Sequence, residues 1–354
     1  MSQFFSEKFR TLEAYVPGEQ PQDRSYVKLN TNESPYPPSP AVREAAAREA
    51  QQLQLYSDPE VKPLRAALAR VYDVKPENIC CGNGSDELLN FIFLAYGDRD
   101  HGFIFPDLTY GFYPVFCRLN AVPYEEKPLR PDFTVDLSDY LHDPRHVVIA
   151  NPNAPTGIAL GLADIEALAA SDPDRLVVID EAYVDFGAES AVALTKKSPN
   201  LLVVATFSKS RSLAGGRLGF VIADAALIRD LETIRYSTNP YNVNRMSMAA
   251  GVAALEDADY YAANCRKVAR TREDAAAKLE ALGFTVLPSK SNFLFARPPR
   301  ISGGELYLSL KARGVLVRHF SKPRIADWVR ITVGSPEQMD ILLRETEAIL
   351  RENV

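Results

Sequence analysis

Between about residues 60 and 250, short apolar runs alternate with helix-length stretches, and this alternation constrains the fold more than any other feature of the chain. The runs are Asn78-Ile-Cys-Cys81, Gly102-Phe-Ile-Phe105, His146-Val-Val-Ile-Ala150, Arg175-Leu-Val-Val-Ile179, Leu201-Leu-Val-Val-Ala205 and Leu218-Gly-Phe-Val-Ile-Ala223. They are apolar nearly throughout instead of alternating in polarity, as expected of strands covered on both faces. Strands of this kind separated by helices imply an α/β domain with a largely parallel sheet. Ligands of such sheets sit in crevices beyond the C-terminal ends of the strands. Polar motifs that follow the runs directly are therefore where chemistry is expected.

The texture changes near residue 250. A long charged amphipathic helix, Asp257 to Leu282, ends at Gly283, and strand-like runs follow at Phe284–Leu287, Asn292–Phe295, Val315–Val317 and Val329–Val333. This predicts a smaller α+β domain over 251–354 beside a large domain over 41–250. Residues 1–40 are rich in Pro, Asn and Tyr and are expected to form an arm that contributes to the small domain. With 354 residues and 46% hydrophobic content, the chain can bury a core for both units.

Forty basic against 46 acidic side chains give a net charge of -6, with no long basic run, which disfavours nucleic acid and anionic membrane as partners. No apolar stretch approaches 18 residues and the first residues lack the apolar core of a signal peptide, so a soluble, cytoplasmic protein is expected. Cys80, Cys81, Cys117 and Cys265 form no CxxC pair and are expected to be reduced core residues. His101, His142, His146 and His319 show no metal-ligand spacing, so no metal site is expected.

Four segments carry candidate chemistry. Asn78-Ile-Cys-Cys-Gly-Asn-Gly-Ser-Asp-Glu87 reads as strand, glycine turn and helix start, where free N–H groups and the positive dipole end suit a phosphate; an ordinary N-capped helix explains the same residues. Asn151-Pro-Asn-Ala-Pro-Thr-Gly157 ends a buried strand in a turn dense with amides, which can equally serve only the turn. Asp180-Glu-Ala-Tyr183 places two acids at the end of a buried strand, where a carboxylate must be paired or hydrogen-bonded. Asp180 would serve there opposite a protonated ring nitrogen, or cap the next segment. Thr206-Phe-Ser-Lys-Ser-Arg-Ser-Leu-Ala-Gly-Gly-Arg217 sets Lys209 among hydroxyls on a loop between two strands, as a Schiff-base lysine or as a solvated side chain.

Taken in order, a phosphate-binding helix start, an amide, a buried acid near a tyrosine, Ser-Lys and then Arg suit a pyridoxal phosphate enzyme. The chain resembles the fold type I, aspartate-aminotransferase-like superfamily, and within it the histidinol-phosphate aminotransferase family of class II pyridoxal-phosphate-dependent aminotransferases. The likeness runs from Tyr15-Val-Pro-Gly18 and Leu29-Asn-Thr-Asn-Glu-Ser-Pro35 through Tyr56-Ser-Asp-Pro59, Gly82–Glu87, Asp180–Tyr183 and Ser208-Lys209 to Pro240-Tyr-Asn-Val-Asn244 and Val329-Arg-Ile-Thr-Val-Gly334.

The resemblance implies a large domain with a mostly parallel seven-stranded sheet and pyridoxal 5'-phosphate as cofactor. Lys209 would carry the Schiff base, Asp180 would keep the pyridine nitrogen protonated, and Tyr183 would contact the phenolic oxygen. Ser85, Asp86, Ser208 and Arg217 would surround the phosphate and Tyr110 would stack on the ring. Tyr56 would reach the phosphate of the neighbouring subunit in a homodimer. For the substrate, Arg330 aligns with the carboxylate-binding arginine, Arg318 is a second candidate for a substrate phosphate, and Tyr15 and Asn244 would line the same pocket. The implied reaction converts histidinol phosphate and 2-oxoglutarate to imidazole acetol phosphate and glutamate. An aromatic amino acid aminotransferase, a threonine-phosphate decarboxylase and the cofactor-sensing domain of a regulator are the competing readings; the last needs a DNA-binding extension that residues 1–40 do not resemble.

One position departs from the pattern. Relatives of this kind read Asn-Asn-Pro-Thr-Gly, the second Asn bonding the phenolic oxygen of the cofactor, whereas this chain has Asn153-Ala154-Pro155. Alanine cannot make that bond. Either Asn153 or Asn151 takes it over, or Tyr183 bears it alone.

Overall fold

A computed structural model describes residues 2–10 and 12–353. In chain order the strands are β1 (Val27–Lys28), β2 (Ile79–Gly82), β3 (Phe103–Pro106), β4 (Tyr124–Lys127), β5 (His146–Ala150), β6 (Val177–Asp180) and β7 (Leu201–Thr206), followed by β8 (Gly219–Ile222), β9 (Thr285–Val286), β10 (Phe293–Arg297), β11 (Val315–Leu316), β12 (Arg318–His319) and β13 (Val329–Thr332). Seven of them form one sheet in the order β2-β8-β7-β6-β5-β3-β4. All neighbours in it are parallel except β8, which is antiparallel to β2 and to β7.

Both faces of this sheet are buried. Ile79, Cys81, Val147, Ile149, Val177, Ile179, Leu201 and Val203 enter one apolar cluster, while the residues between them, including Cys80, Val148, Val178 and Leu202, enter a second on the opposite side. Successive side chains of a strand point to opposite faces, so burial on both sides requires the uninterrupted apolar runs seen in the sequence. The seventh strand, β4, has the sequence Tyr-Glu-Glu-Lys and lies at the edge beside β3, where charged side chains keep an unpaired strand from accepting another chain. Its polarity is why the apolar pattern alone misses it.

A four-stranded antiparallel sheet, β12-β13-β10-β9, lies apart from the first, and its apolar residues Leu294, Ala296, Val329 and Ile331 pack with Ala275 and Leu279 of the long helix Ala258–Ala281 and with Leu342 and Ile349 of the helix Pro336–Glu352. The segment after the arm joins this cluster: β1 pairs in parallel with β11, and Leu29 is fully buried in it. All four cysteines are buried and free.

Candidate active site

The parallel strands β5, β6 and β7 end at Ala150, Asp180 and Thr206, and the segment after each end turns toward one crevice. β8 runs the other way, so its start, just after Arg217, reaches the same edge. The helix Ser85–Tyr96 begins there too, following β2 through a glycine turn. The result is a cavity of about 340 Å³ lined by Ser85, Asp86, Tyr110, Ala154, Asp180, Tyr183, Ser208, Lys209 and Arg217, with Thr31 and Glu33 closing it from the segment after β1.

Its charged groups are held in place. Asp180 is buried, accepts a 2.9 Å hydrogen bond from the hydroxyl of Tyr113 and another from the backbone N–H of Ala182. Burial pushes its carboxyl up to about 6. Lys209 donates from Nζ to the carbonyl of Thr31 at 3.3 Å. Burial, helped by the nearby Arg330 charge, lowers its ammonium to about 8, so a minority of the amine, far more than for a solvated lysine, is neutral near physiological pH. Nζ lies 5.8 Å from the centre of the Tyr183 ring.

At the other end of the cavity Arg217 pairs with Asp86 at 3.0 Å, and Asp86 also accepts the Tyr110 hydroxyl at 2.7 Å. Arg217 reaches Ser208 Oγ at 3.5 Å, and Thr206 donates to that same oxygen at 3.0 Å. Gly84 has φ +93°, a backbone that favours glycine, and a Cβ there would stand 2.6 Å from Nη2 of Arg217 and displace that guanidinium. A helix N-terminus, two hydroxyls and a guanidinium converge here on a space without a side chain, which is the donor set a phosphate requires.

Pyridoxal phosphate fits these residues. A primary amine of lowered basicity, a buried carboxylate, an aromatic ring at Tyr110 and an anion cradle at the helix start correspond in kind to its aldehyde, ring nitrogen, ring and phosphate. The Asp86 carboxylate faces a cation and a hydroxyl, Arg217 and Tyr110, which leaves the first-turn N–H groups as the donors an anion would meet.

This cavity opens into a second of about 570 Å³, with which it shares Thr31, Tyr110, Ala154, Tyr183 and Lys209. Arg330 on β13 lies in its wall, donating once to the carbonyl of Asn30 at 3.0 Å and flanked by the rings of Phe293 and Phe320. Its Nε has no partner. Tyr15 lines the same space and stacks on Phe112 with ring centres 4.1 Å apart. Arg318 is there too, but its guanidinium donates to the carbonyls of Val16 and Pro17 and so ties down the arm.

Two expectations need correction. Asn153 does not face the cofactor cavity: its amide donates to the Leu108 carbonyl and the Thr156 hydroxyl and accepts from Thr109, so the turn uses it fully. Asn151 is used likewise, accepting from the N–H of Leu160. Asn244 lines neither cavity; it caps the helix Arg245–Glu256, accepting from the N–H of Ser247. That cap is the ordinary role of Asn before a helix. Tyr56 is 79% exposed and stacks on Tyr241, outside both cavities of its own subunit.

Tyr113 and Asn32 escaped the sequence reading. Tyr113 stands in the apolar stretch Phe112-Tyr-Pro-Val-Phe116, whose pattern says only core, and nothing local tells where its hydroxyl points. Asn32 lies in the Leu29–Pro35 motif that carries part of the resemblance; its amide donates to the Tyr183 hydroxyl at 2.9 Å.

A family model for aminotransferases of class I and II matches residues 24–345. The chain is 51% identical to histidinol-phosphate aminotransferase 1 of Bradyrhizobium diazoefficiens over 352 residues, covering 99% of each chain. It is 48% identical to the histidinol-phosphate aminotransferase of Brachyspira hyodysenteriae, covering 99% of this chain and 100% of that one. Among solved structures, the histidinol-phosphate aminotransferase of Sinorhizobium meliloti, in complex with pyridoxal-5'-phosphate, superposes with a TM-score of 0.89 at 24% identity, over 100% of this chain and 99% of that one. On this similarity along its whole length, the chain belongs to the class I and II aminotransferases, in the histidinol-phosphate aminotransferase family.

Proposed function

We propose that this chain transfers the amino group of histidinol phosphate to 2-oxoglutarate, giving imidazole acetol phosphate and glutamate in histidine biosynthesis, with pyridoxal phosphate held by the residues around Lys209. The observation that carries the reading is Arg330: a guanidinium held between two aromatic rings, with an unpartnered Nε, in the wall of a cavity that meets Lys209. A planar fork of N–H donors in such a place suits either the phosphate monoester of one substrate or a carboxylate of the other, which two substrates sharing one pocket require.

Bound pyridoxal phosphate supplies an electron sink for the charge that develops at the substrate carbon. The protein does the rest. Asp180, fixed by Tyr113, keeps a proton on the pyridine nitrogen, and the proximity of that cation favours its ionised form. Lys209 would anchor the cofactor through its amine and, once that amine is free, would serve as the base that moves a proton at the substrate carbon. Arg330 would hold the phosphate or carboxylate of the substrate and so fix its orientation in the pocket. Arg217, Ser85 and Ser208 hold the phosphate.

The active unit is a homodimer acting in the cytoplasm. Leu53, Leu55, Tyr56 and Tyr241 are exposed near one another in sequence or in contact, as a surface awaiting a second copy would be, and Tyr56 then reaches the phosphate of the other subunit.

Steady-state assay of glutamate formation tests the substrate reading. Arg330→Ala should raise the KM for histidinol phosphate about tenfold to a hundredfold, the worth of a charge-assisted hydrogen bond or two, with little change in cofactor affinity. An unchanged KM contradicts the role given to Arg330.

A further inference from the structure

Ala154 lines the cofactor cavity beside Tyr183, and the two asparagines of its turn, Asn151 and Asn153, are occupied elsewhere. We propose that Asn32 supplies what Ala154 lacks, as a positioning residue that aims the proton of the Tyr183 hydroxyl at the phenolic oxygen of the bound cofactor. The inference rests on the pyridoxal phosphate reading above.

The geometry gives Asn32 little freedom. It is 1% exposed and its Nδ2 donates to the Tyr183 hydroxyl at 2.9 Å. Thr332 on β13 fixes which way the amide faces: its hydroxyl accepts from the backbone N–H of Asn32 at 2.9 Å and donates to Oδ1 at 3.0 Å. A flipped amide would leave the Thr332 proton without that acceptor. The carbonyl of Asn32 accepts from the buried Asn292 at 2.9 Å. The backbone is left-handed at φ +56°, a conformation that Asn tolerates better than most residues.

The polarity of the bond is what matters. A phenol has one proton to give, and an amide nitrogen can only donate. Because Asn32 occupies a lone pair of the Tyr183 oxygen as donor, the hydroxyl proton is free for another acceptor, and Tyr183 lines the cavity beside Lys209. A donor aimed at the phenolic oxygen stabilises negative charge there. It therefore lowers the pH at which the lysine-bound cofactor loses its proton and changes colour. Asn32 does not touch the cofactor; it acts through Tyr183. It also links the Tyr183 segment after β6 to β13, the strand that carries Arg330.

The test is a pH titration of the visible absorbance of the cofactor-loaded protein for the parent, Asn32→Gly, Tyr183→Phe and the double variant. Glycine keeps the left-handed backbone and adds no charge. Tyr183→Phe should move the transition to higher pH, to a proton concentration about tenfold or more lower, and Asn32→Gly to one about threefold to tenfold lower. In the Tyr183→Phe background, Asn32→Gly should move it no further. Thr332→Val, which frees the amide to flip and draw the tyrosine proton away, should repeat the upward shift if the glycine variant fails to fold. A transition at the parent pH in both Asn32→Gly and Thr332→Val, or an equal shift with and without the Tyr183 hydroxyl, overturns the proposal. Failure of the underlying reading looks different: the parent protein itself then takes up no pyridoxal phosphate and shows no visible band.

Discussion

On the proposed reading, Lys209 concentrates the chemistry of the molecule into one amine. Its burial lowers the ammonium to about 8, and the sign of that shift has a measurable consequence. Attachment to an aldehyde needs the neutral amine, so cofactor capture by the cofactor-free protein should accelerate about tenfold per pH unit up to about 8 and level off above it. Stopped-flow absorbance of the capture reaction reads this directly. A profile that keeps rising toward 10 or above contradicts the buried, desolvated amine. Lys209, Asp180, Tyr183 and Arg217 could be proposed from sequence because each stands in a short polar motif that breaks an apolar run. Asn32 and Tyr113 could not, because their parts depend on where a side chain's polar atom points across more than 60 residues of chain.

At the scale of elements, the strands on either side of the site were legible for a physical reason: a strand covered on both faces has no polar positions to confuse its pattern. The edge strand β4, Tyr-Glu-Glu-Lys, is the counterexample, since the charges that protect an edge hide it from the same criterion. Asn244 illustrates a second limit. The Pro240–Asn244 motif is visible as a motif, but whether its last residue caps the helix Arg245–Glu256 or faces a ligand depends on which way that helix runs. The reversal of β8 is of the same kind: no local signal distinguishes a parallel from an antiparallel neighbour, and yet that reversal is what brings Arg217 to the edge where β5, β6 and β7 end.

The whole molecule joins two units at one crevice. The seven-stranded sheet supplies Asp180, Tyr183, Lys209 and Arg217, while the four-stranded sheet supplies Arg330, and Asn32 with Thr332 connects the two. The composition, with its mild negative charge, disfavoured partners more readily than it named any. The proposed dimer would give the exposed Tyr56 a partner. Sedimentation at assay concentrations should give the mass of two chains, and a single-chain mass in fully active protein contradicts a site completed by Tyr56 of a neighbour. The central claim, an amino transfer from histidinol phosphate, is tested most directly by a half-reaction. Cofactor-loaded protein is mixed with histidinol phosphate, phenylalanine or threonine phosphate in turn, and the visible band of the lysine-bound cofactor is followed in time. Histidinol phosphate should bleach it fastest, and 2-oxoglutarate should restore it with formation of glutamate. Faster bleaching by phenylalanine, or release of carbon dioxide from threonine phosphate in place of a reversible bleach, would contradict it.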